Sequence, residues 1–231
     1  MGILLRQRAE ADIEQMDRPD CDDRLLDNTY RQFAVINRVL SGWQRLYARE
    51  IHTINPPEPR PVTVLDIGSG GGDLAVMLAR CAARDGKAIQ ITGIDPDPRA
   101  TRFARQRPSM PGVEFREAHS GDLVHEGARF DVVISNHVLH HLAPGELRQL
   151  LADSEILATR KALHNDLVRS PAAFALFSVA ALPFRQSFIR GDGLTSIRRS
   201  YRPAELAAAA PPGWSVERPW AFHQVLTYRR G

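Results

Sequence analysis

Two residue types are almost missing from this chain. Cysteine occurs only at Cys21 and Cys81, and lysine only at Lys87 and Lys161. Two distant cysteines, neither with another Cys beside it, form neither a disulfide framework nor a zinc knuckle, so reduced thiols are expected. With lysine scarce, the basic charge falls to arginine, yet the net charge is only +3 and aromatics make up 7%. Acids are interspersed with bases, as in Arg84-Asp-Gly-Lys87. A nucleic-acid surface clusters bases with aromatics, so a nucleic-acid partner is disfavoured. Long apolar runs are lacking too. The longest, Pro171 to Phe184, falls short of the roughly 20 residues that span a bilayer. Met1 to Leu5 runs at once into charged residues and offers no signal-peptide core. These absences lead us to expect a soluble, cytoplasmic protein with no stable membrane insertion.

What is present suits one sizeable core: 231 residues, 43% hydrophobic and 25% charged. Residues 1–22 are polar, mixed in charge and expected to be partly mobile. From Asn28, Tyr30, Phe33, Ile36, Leu40 and Trp43 recur at helical spacing. Four prolines between Ile54 and Pro61 read as a linker. Strands and helices then alternate. Strands are expected at Val62–Ile67, Ile89–Ile94, Val113–Glu117, Phe130–Ser135 and Lys161–His164. Helices are expected at Leu74–Arg84, Arg99–Arg105, Pro144–Leu157, Ala172–Leu182 and Arg202–Ala210. Trp214–Pro219 and Phe222–Arg229 read as a closing hairpin. This rhythm predicts an α/β fold. It has a mostly parallel, seven-stranded Rossmann-like sheet with helices on both faces and an antiparallel C-terminal hairpin. An N-terminal helical cap over residues 1–55 would precede a main domain over 56–231, with an apolar helical insertion at about 170–200.

The most informative segment is Val64-Leu-Asp-Ile-Gly-Ser-Gly-Gly-Gly-Asp73, a buried strand entering a glycine turn that opens a helix. Gly68 and Gly70 let the main chain approach a ligand closely. A dinucleotide fingerprint would need a third glycine where Asp73 stands, and that carboxylate would repel a pyrophosphate. S-adenosylmethionine (SAM) has no pyrophosphate, and Asp66 suits its ammonium group. Asp95, 23 residues beyond Gly72, ends the second strand, where a carboxylate can accept hydrogen bonds from ribose hydroxyls. That requirement is shared with NAD, so Asp95 supports the fold and not the choice of cofactor. Asp95-Pro96-Asp97-Pro98 also reads as a turn with a helix cap.

With Phe130-Asp-Val-Val-Ile-Ser-Asn-His-Val-Leu-His-His-Leu142, these motifs resemble the class I SAM-dependent methyltransferases. The resemblance implies SAM as cofactor. It puts Asp66, Gly68, Ser69 and Gly70 at the methionine end and Asp95 with Pro96 at the ribose. It also puts Asp122 against the adenine amino group and Asn136 beside the methionine end. Asp122 is equally readable as a solvated turn residue. More loosely, Asp27–Asn37, Leu163-His-Asn-Asp-Leu-Val-Arg169 and Arg190–Arg199 resemble bacterial methyltransferases that accompany type III polyketide synthases, implying secondary metabolism.

Leu139-His140-His141-Leu142 resembles the stretch in which plant-type O-methyltransferases carry a catalytic histidine. Imidazole is well matched to taking a phenolic proton near neutrality, so His140 is the candidate base. Packing beneath the cofactor loop is its alternative role, and His164 is the alternative base. His137, His140 and His141 have no Cys or carboxylate nearby in sequence, so no metal is expected. Phe174, Leu176, Phe177 and Leu182, with Tyr30 and Phe33, are candidates for an apolar acceptor pocket. The expected activity is methylation, on oxygen, of a small phenolic or polyketide-like molecule. The alternatives are a C-methyltransferase acting on a quinone-like ring and a catalytically silent SAM-binding protein.

Overall fold

A computed structural model describes residues 5–231. The remainder of the expected 1–55 cap, and most of the Met1–Leu5 stretch, lie outside the described residues. Asp22 opens α1 (Asp23–Leu40) by accepting hydrogen bonds from the backbone N–H groups of Arg24 and Leu25 at 2.8 and 3.0 Å. The helix starts earlier than Asn28 because this cap satisfies its first turn. A short helix, α2 (Trp43–Leu46), continues through a π turn over Tyr47–Ile51.

Alternation then begins with β1 (Val62–Ile67), α3 (Asp73–Arg84), β2 (Ile89–Asp95), α4 (Pro98–Arg105) and β3 (Val113–Glu117). The short α5 (Ser120–His125), β4 (Phe130–Asn136), α6 (Pro144–Leu157) and β5 (Ala158–Leu167) follow. The chain closes with α7 (Pro171–Ala180), α8 (Ile189–Arg199), α9 (Pro203–Ala209), β6 (Trp214–Glu217) and β7 (His223–Arg229).

The strands form one sheet in the order β3-β2-β1-β4-β5-β7-β6. Neighbours are parallel from β3 to β5, whereas β7 runs antiparallel to both β5 and β6. Strand order reverses beside β1, so the carboxyl ends of β1 and β4 flank a switch point where ligands bind in open α/β sheets. Both faces of the sheet are buried. Val64, Val132 and Ile134 point into one apolar layer with Trp43, Leu74 and Leu78. Leu65, Ile67 and Val133 point into the opposite layer with Leu150, Leu151 and Tyr201. This is the two-residue alternation of a strand covered on both sides.

Three features of the fold add to the sequence reading. β5 is much longer than Lys161–His164. Its polar end, Asn165-Asp-Leu167, stays in register with β7 through Asn165↔Val225 and Asp166↔Gln224. The segment over residues 5–22 is tied to the rest of the chain at particular points: Leu5 and Glu14 are buried. Arg8 lies over the Tyr201 ring at 3.7 Å, and the Ala9 N–H donates to the Arg198 carbonyl at 3.1 Å. Finally, Asp131 of the Phe-Asp-Val-Val run is a brace at the far end of β4. Its carboxylate takes two hydrogen bonds from Arg60, at 2.6 and 2.8 Å, and one from the Thr63 N–H at 2.9 Å. Among the described residues, no helix is long and apolar enough to cross a membrane.

Candidate active site

A cavity of about 700 Å³ opens over the carboxyl ends of β1, β2, β4 and β5, within the usual range for small-molecule sites. One end is the glycine turn. Gly68 and Gly70 have φ values of 68° and 51°, a region that L side chains rarely adopt. A Cβ at Gly68 would come within 2.6 Å of Val138 Cγ2, so only glycine fits the approach of this turn to the loop after β4.

Asp66 is 1% exposed, and its Oδ2 has no hydrogen-bond partner. Burial, with the charges of Asp73 and Asp95 added, raises its pKa well above the ordinary carboxylate value. A buried carboxylate oxygen left unpaired is costly, and a cationic ligand group would relieve it. Asp95 accepts the Gly70 N–H at 2.8 Å through Oδ2 and the Asp97 N–H at 2.9 Å through Oδ1. It therefore ties the tip of β2 to the glycine turn, and each oxygen retains a further lone pair. The helix cap beyond is Asp97, which accepts the Arg99 N–H at 2.8 Å. Asn136 Oδ1 accepts from Trp43 Nε1 at 2.9 Å and from Asn165 Nδ2 at 2.8 Å. That junction joins α2, β4 and β5 under the cavity.

The other end is a compact polar group. His140 is 1% exposed and sits on a single 3-10 turn, Leu139–His141, after β4. Its Nδ1 stands 2.7 Å from Asp166 Oδ1, and its backbone N–H donates to Asp166 Oδ2 at 2.8 Å. Its Nε2 lies 3.3 Å from Glu14 Oε1, without the alignment of a hydrogen bond. Glu14 is 3% exposed and comes from the N-terminal segment. Burial opposes a charged imidazole here, but Asp166 and Glu14 outweigh it and raise the His140 pKa to about 10. His140 holds Asp166 down at about 2, and His141 followed by His140 holds Glu14 down at about 2, each against the upward push of burial.

His141 completes the group. Its Nδ1 is 2.9 Å from Asp17 Oδ2, and its Nε2 is 3.7 Å from Glu14 Oε1. Asp192 of α8 anchors the N-terminal segment by accepting the Gln15 and Met16 N–H groups at 2.7 and 3.0 Å. Arg199 donates to the carbonyls of His140 and His141 at 3.2 and 2.9 Å. His137, with φ of 59°, stacks on His223 at 5.7 Å. Burial and His223 lower the His137 pKa to about 3, leaving a neutral ring on the cavity wall.

Asp66, Gly68, Ser69, Gly70, Asp95, Pro96, Asn136 and His140 all line this one cavity. Asp122 does not: its carboxylate turns back to the His119 N–H at 2.8 Å and caps α5. The Ser-Gly-Asp-Leu run is helical, which points Asp122 away from the cavity. His164 does not reach the cavity either. It packs on Trp214 with ring centres 5.4 Å apart, and its Nδ1 is 2.8 Å from Ser135 Oγ. Of the apolar candidates, Tyr30, Phe33, Leu176 and Phe177 line the cavity, whereas Phe174 and Leu182 stay outside its lining.

Sequence reasoning missed Glu14, Asp17, Asp166, Asp192 and His223. Only Asp166 and Asp192 carried a signal, inside the Leu163–Arg169 and Arg190–Arg199 runs. No carboxylate lies near the histidines in sequence, but Asp166 and Glu14 reach His140 in space, Glu14 from the N-terminal segment.

The family described as methyltransferase domain matches residues 64–157. A ubiquinone biosynthesis O-methyltransferase of Xanthomonas axonopodis pv. citri (strain 306) is 32% identical over 173 residues, covering 69% of each chain. One from Methylobacterium sp. (strain 4-46) is 37% identical over 112 residues, 46% of this chain and 43% of that one. The chain thus spans less than half the length of the second relative. In fold, it is similar to the plantazolicin methyltransferase BpumL in complex with SAH. The TM-score is 0.61 at 13% identity, covering 90% of this chain and 95% of that one. It is also similar to human N-acetylserotonin methyltransferase in complex with SAM, with a TM-score of 0.62 at 18% identity, covering 91% and 57%.

Proposed function

Because this chain belongs to the class I SAM-dependent methyltransferases, we propose that it methylates a small, flat phenolic acceptor on oxygen. The observation carrying this reading is that a single cavity joins two unlike ends. At one end lie the glycine turn and the unpaired Asp66 oxygen; at the other lies His140 between Asp166 and Glu14.

SAM supplies a methyl group already activated on a sulfonium. The rest falls to the protein: alignment, exclusion of water and management of the acceptor proton. Asp66 meets the ammonium group of the cofactor, Gly68 to Gly70 admit its methionine end, and Asp95 with Pro96 borders the ribose. Asn136 holds the floor beneath the methionine end. Leu176, Phe177, Tyr30 and Phe33 wall the acceptor space. His140, oriented through Nδ1 by Asp166, is the proton-handling residue at the reacting oxygen; with its pKa raised to about 10 it takes the phenolic proton only in its neutral form, so turnover rises with pH toward that value.

The relatives' names support a ring of the kind met in ubiquinone biosynthesis and give no support to secondary metabolism or to a type III polyketide synthase partner. A quinol-like ring therefore joins the polyketide-like phenols as acceptor class. The test is incubation with methyl-labelled SAM and a panel of catechols, hydroquinones and resorcinols, followed by mass spectrometry. Methyl ethers are expected. Products labelled only on ring carbon would favour the C-methyltransferase reading, and SAM binding without turnover on any acceptor would favour a silent SAM-binding protein.

A further inference from the structure

The two neighbouring histidines are held in the same way. Each ring gives Nδ1 to a carboxylate, His140 to Asp166 at 2.7 Å and His141 to Asp17 at 2.9 Å. A neutral ring that donates through Nδ1 presents a lone pair at Nε2. Both Nε2 atoms turn to one oxygen, Glu14 Oε1, at 3.3 and 3.7 Å. The Nε2 of His140 is buried and has no hydrogen-bond partner, and it faces this oxygen. Three donor atoms of this group lie within 4.8 Å of one another.

We propose that Glu14, His140 and His141 bind a divalent ion of the zinc type, whose remaining position opens to the cavity and takes an oxygen of a hydroxylated aromatic acceptor. Ligand bonds of ~2.0–2.2 Å around a tetrahedral ion put neighbouring donor atoms about 3.3–3.6 Å apart. The His140–Glu14 separation of 3.3 Å fits that edge, and the His141–Glu14 separation of 3.7 Å lies just beyond it. The carboxylate behind each imidazole is the outer-shell arrangement that fixes the tautomer of a metal-binding histidine and raises its basicity. Here it occurs twice. Ser196 Oγ, 2.8 Å from Glu14 Oε1, holds the carboxylate in place. Arg199 is packed against the group, but its N–H groups are directed to the two histidine carbonyls, and it lies 3.9 Å from Asp17. Three protein ligands with a fourth position open on a cavity is the pattern of catalytic zinc, not of structural zinc. The choice of N and O donors with no thiolate fits zinc or a neighbouring transition ion better than calcium or magnesium.

The inference keeps the methyl-transfer reading but gives His140 Nε2 to the metal in place of the acceptor proton, and its test uses neither SAM nor acceptor, so either can fail alone. Chelator-treated full chain is titrated with Zn²⁺ alone by calorimetry and with Co²⁺ alone by visible absorption. One equivalent is expected to bind, and the Co²⁺ spectrum should show the strong bands of four-coordinate geometry. Glu14→Gln and His141→Ala should abolish uptake. Asp17→Asn should weaken it by roughly 10–100-fold, the effect of losing an outer-shell partner. His119→Ala, on an exposed histidine outside the group, should bind as the parent does. Folding of each variant is checked by circular dichroism; if Glu14→Gln fails to fold, His141→Ala and Asp17→Asn decide. No saturable uptake, or uptake that His141→Ala leaves intact, overturns the proposal in favour of a cluster balanced by protons alone.

Discussion

His140 and Asp166 are joined twice, ring to carboxylate at 2.7 Å and backbone N–H to the other carboxylate oxygen at 2.8 Å. One carboxylate thus fixes both the position of the 3-10 turn after β4 and the orientation of its imidazole. It can do so because β5 extends to Leu167 and brings Asp166 beyond the sheet's hydrophobic interior. The pair is buried, so neither partner is stable without the other.

Asp166→Asn tests this coupling. Breaking a buried charged pair by removing one partner typically costs about 3–5 kcal/mol, and we expect a loss at the lower end because Asn keeps one hydrogen-bond acceptor. Urea unfolding measures it. Methyl transfer by the folded variant should fall by about 10²–10⁴-fold. A variant with parental stability and turnover would show that the orientation of His140 does not depend on Asp166.

Asp95→Ala and Asp122→Ala separate the two carboxylates read from the sequence as cofactor contacts. Asp95 lines the cavity and Asp122 does not. Loss of a charged acceptor from the ribose should weaken SAM binding by about 1.5–3 kcal/mol. Asp122→Ala should leave SAM affinity unchanged and cost roughly 0.3–1.5 kcal/mol of stability as a lost helix cap. Calorimetry with SAM and thermal unfolding measure the two effects. Weakened SAM binding in Asp122→Ala would restore the adenine role.

The contrast between these two aspartates shows how far the sequence reaches. The β1 turn, the tip of β2 and the start of β4 were legible because each is a local pattern: an apolar strand, a glycine or acid at its end, then a helix. The polar end of the cavity was not. Glu14 and Asp17 stand in a charged stretch with no periodicity, and their burial depends on Asp192 and Ser196 in α8, far along the chain. Asn165 and Asp166 are poor strand formers by type. They remain in β5 because β7 pairs their backbone, His140 holds both Asp166 oxygens and Asn165 Nδ2 donates to Asn136 Oδ1. Asp122 took its adenine role from the resemblance alone, and its side chain closes the first turn of α5.

Asp66 predicts a proton linked to cofactor binding. Burial raises its pKa well above the ordinary aspartate value of 3.8 in the folded chain. A raised carboxyl pKa favours the folded state below the unfolded value, and that contribution declines as pH climbs toward the folded value. The ammonium group of SAM reverses the preference by favouring the ionised carboxylate. Between about pH 4 and the raised value, SAM binding should therefore release a proton. Calorimetry in buffers of different ionisation heat detects the release. Asp66→Asn should abolish it and weaken SAM binding, while the cofactor-free protein becomes no less stable. Proton-neutral SAM binding across that window would place the ammonium group elsewhere.

His140 and His164 make the last comparison, since both are buried histidines near the end of a central strand and only one lines the cavity. His164 is held between Ser135 and Trp214, and burial lowers its pKa to about 3. Its ring packs the layer beneath β6 and β7 and has no path to an acceptor. His164→Ala should therefore lose stability, by about 2–5 kcal/mol for a large buried side chain cut to a methyl. Turnover per folded molecule should stay within a few-fold of the parent. His140→Gln keeps a side-chain amide that can donate to Asp166 but removes the imidazole from the cavity wall. It should lower methyl transfer by about 10²–10⁴-fold with SAM affinity nearly intact, because the lost group acts on the acceptor and not on the cofactor. The two variants are assayed with SAM and one methylated phenol from the acceptor panel, with folded fraction and SAM affinity measured alongside. Normal turnover in His140→Gln, or abolished turnover in a folded, SAM-binding His164→Ala, would reverse the assignment and require that His164 gain access to the cavity.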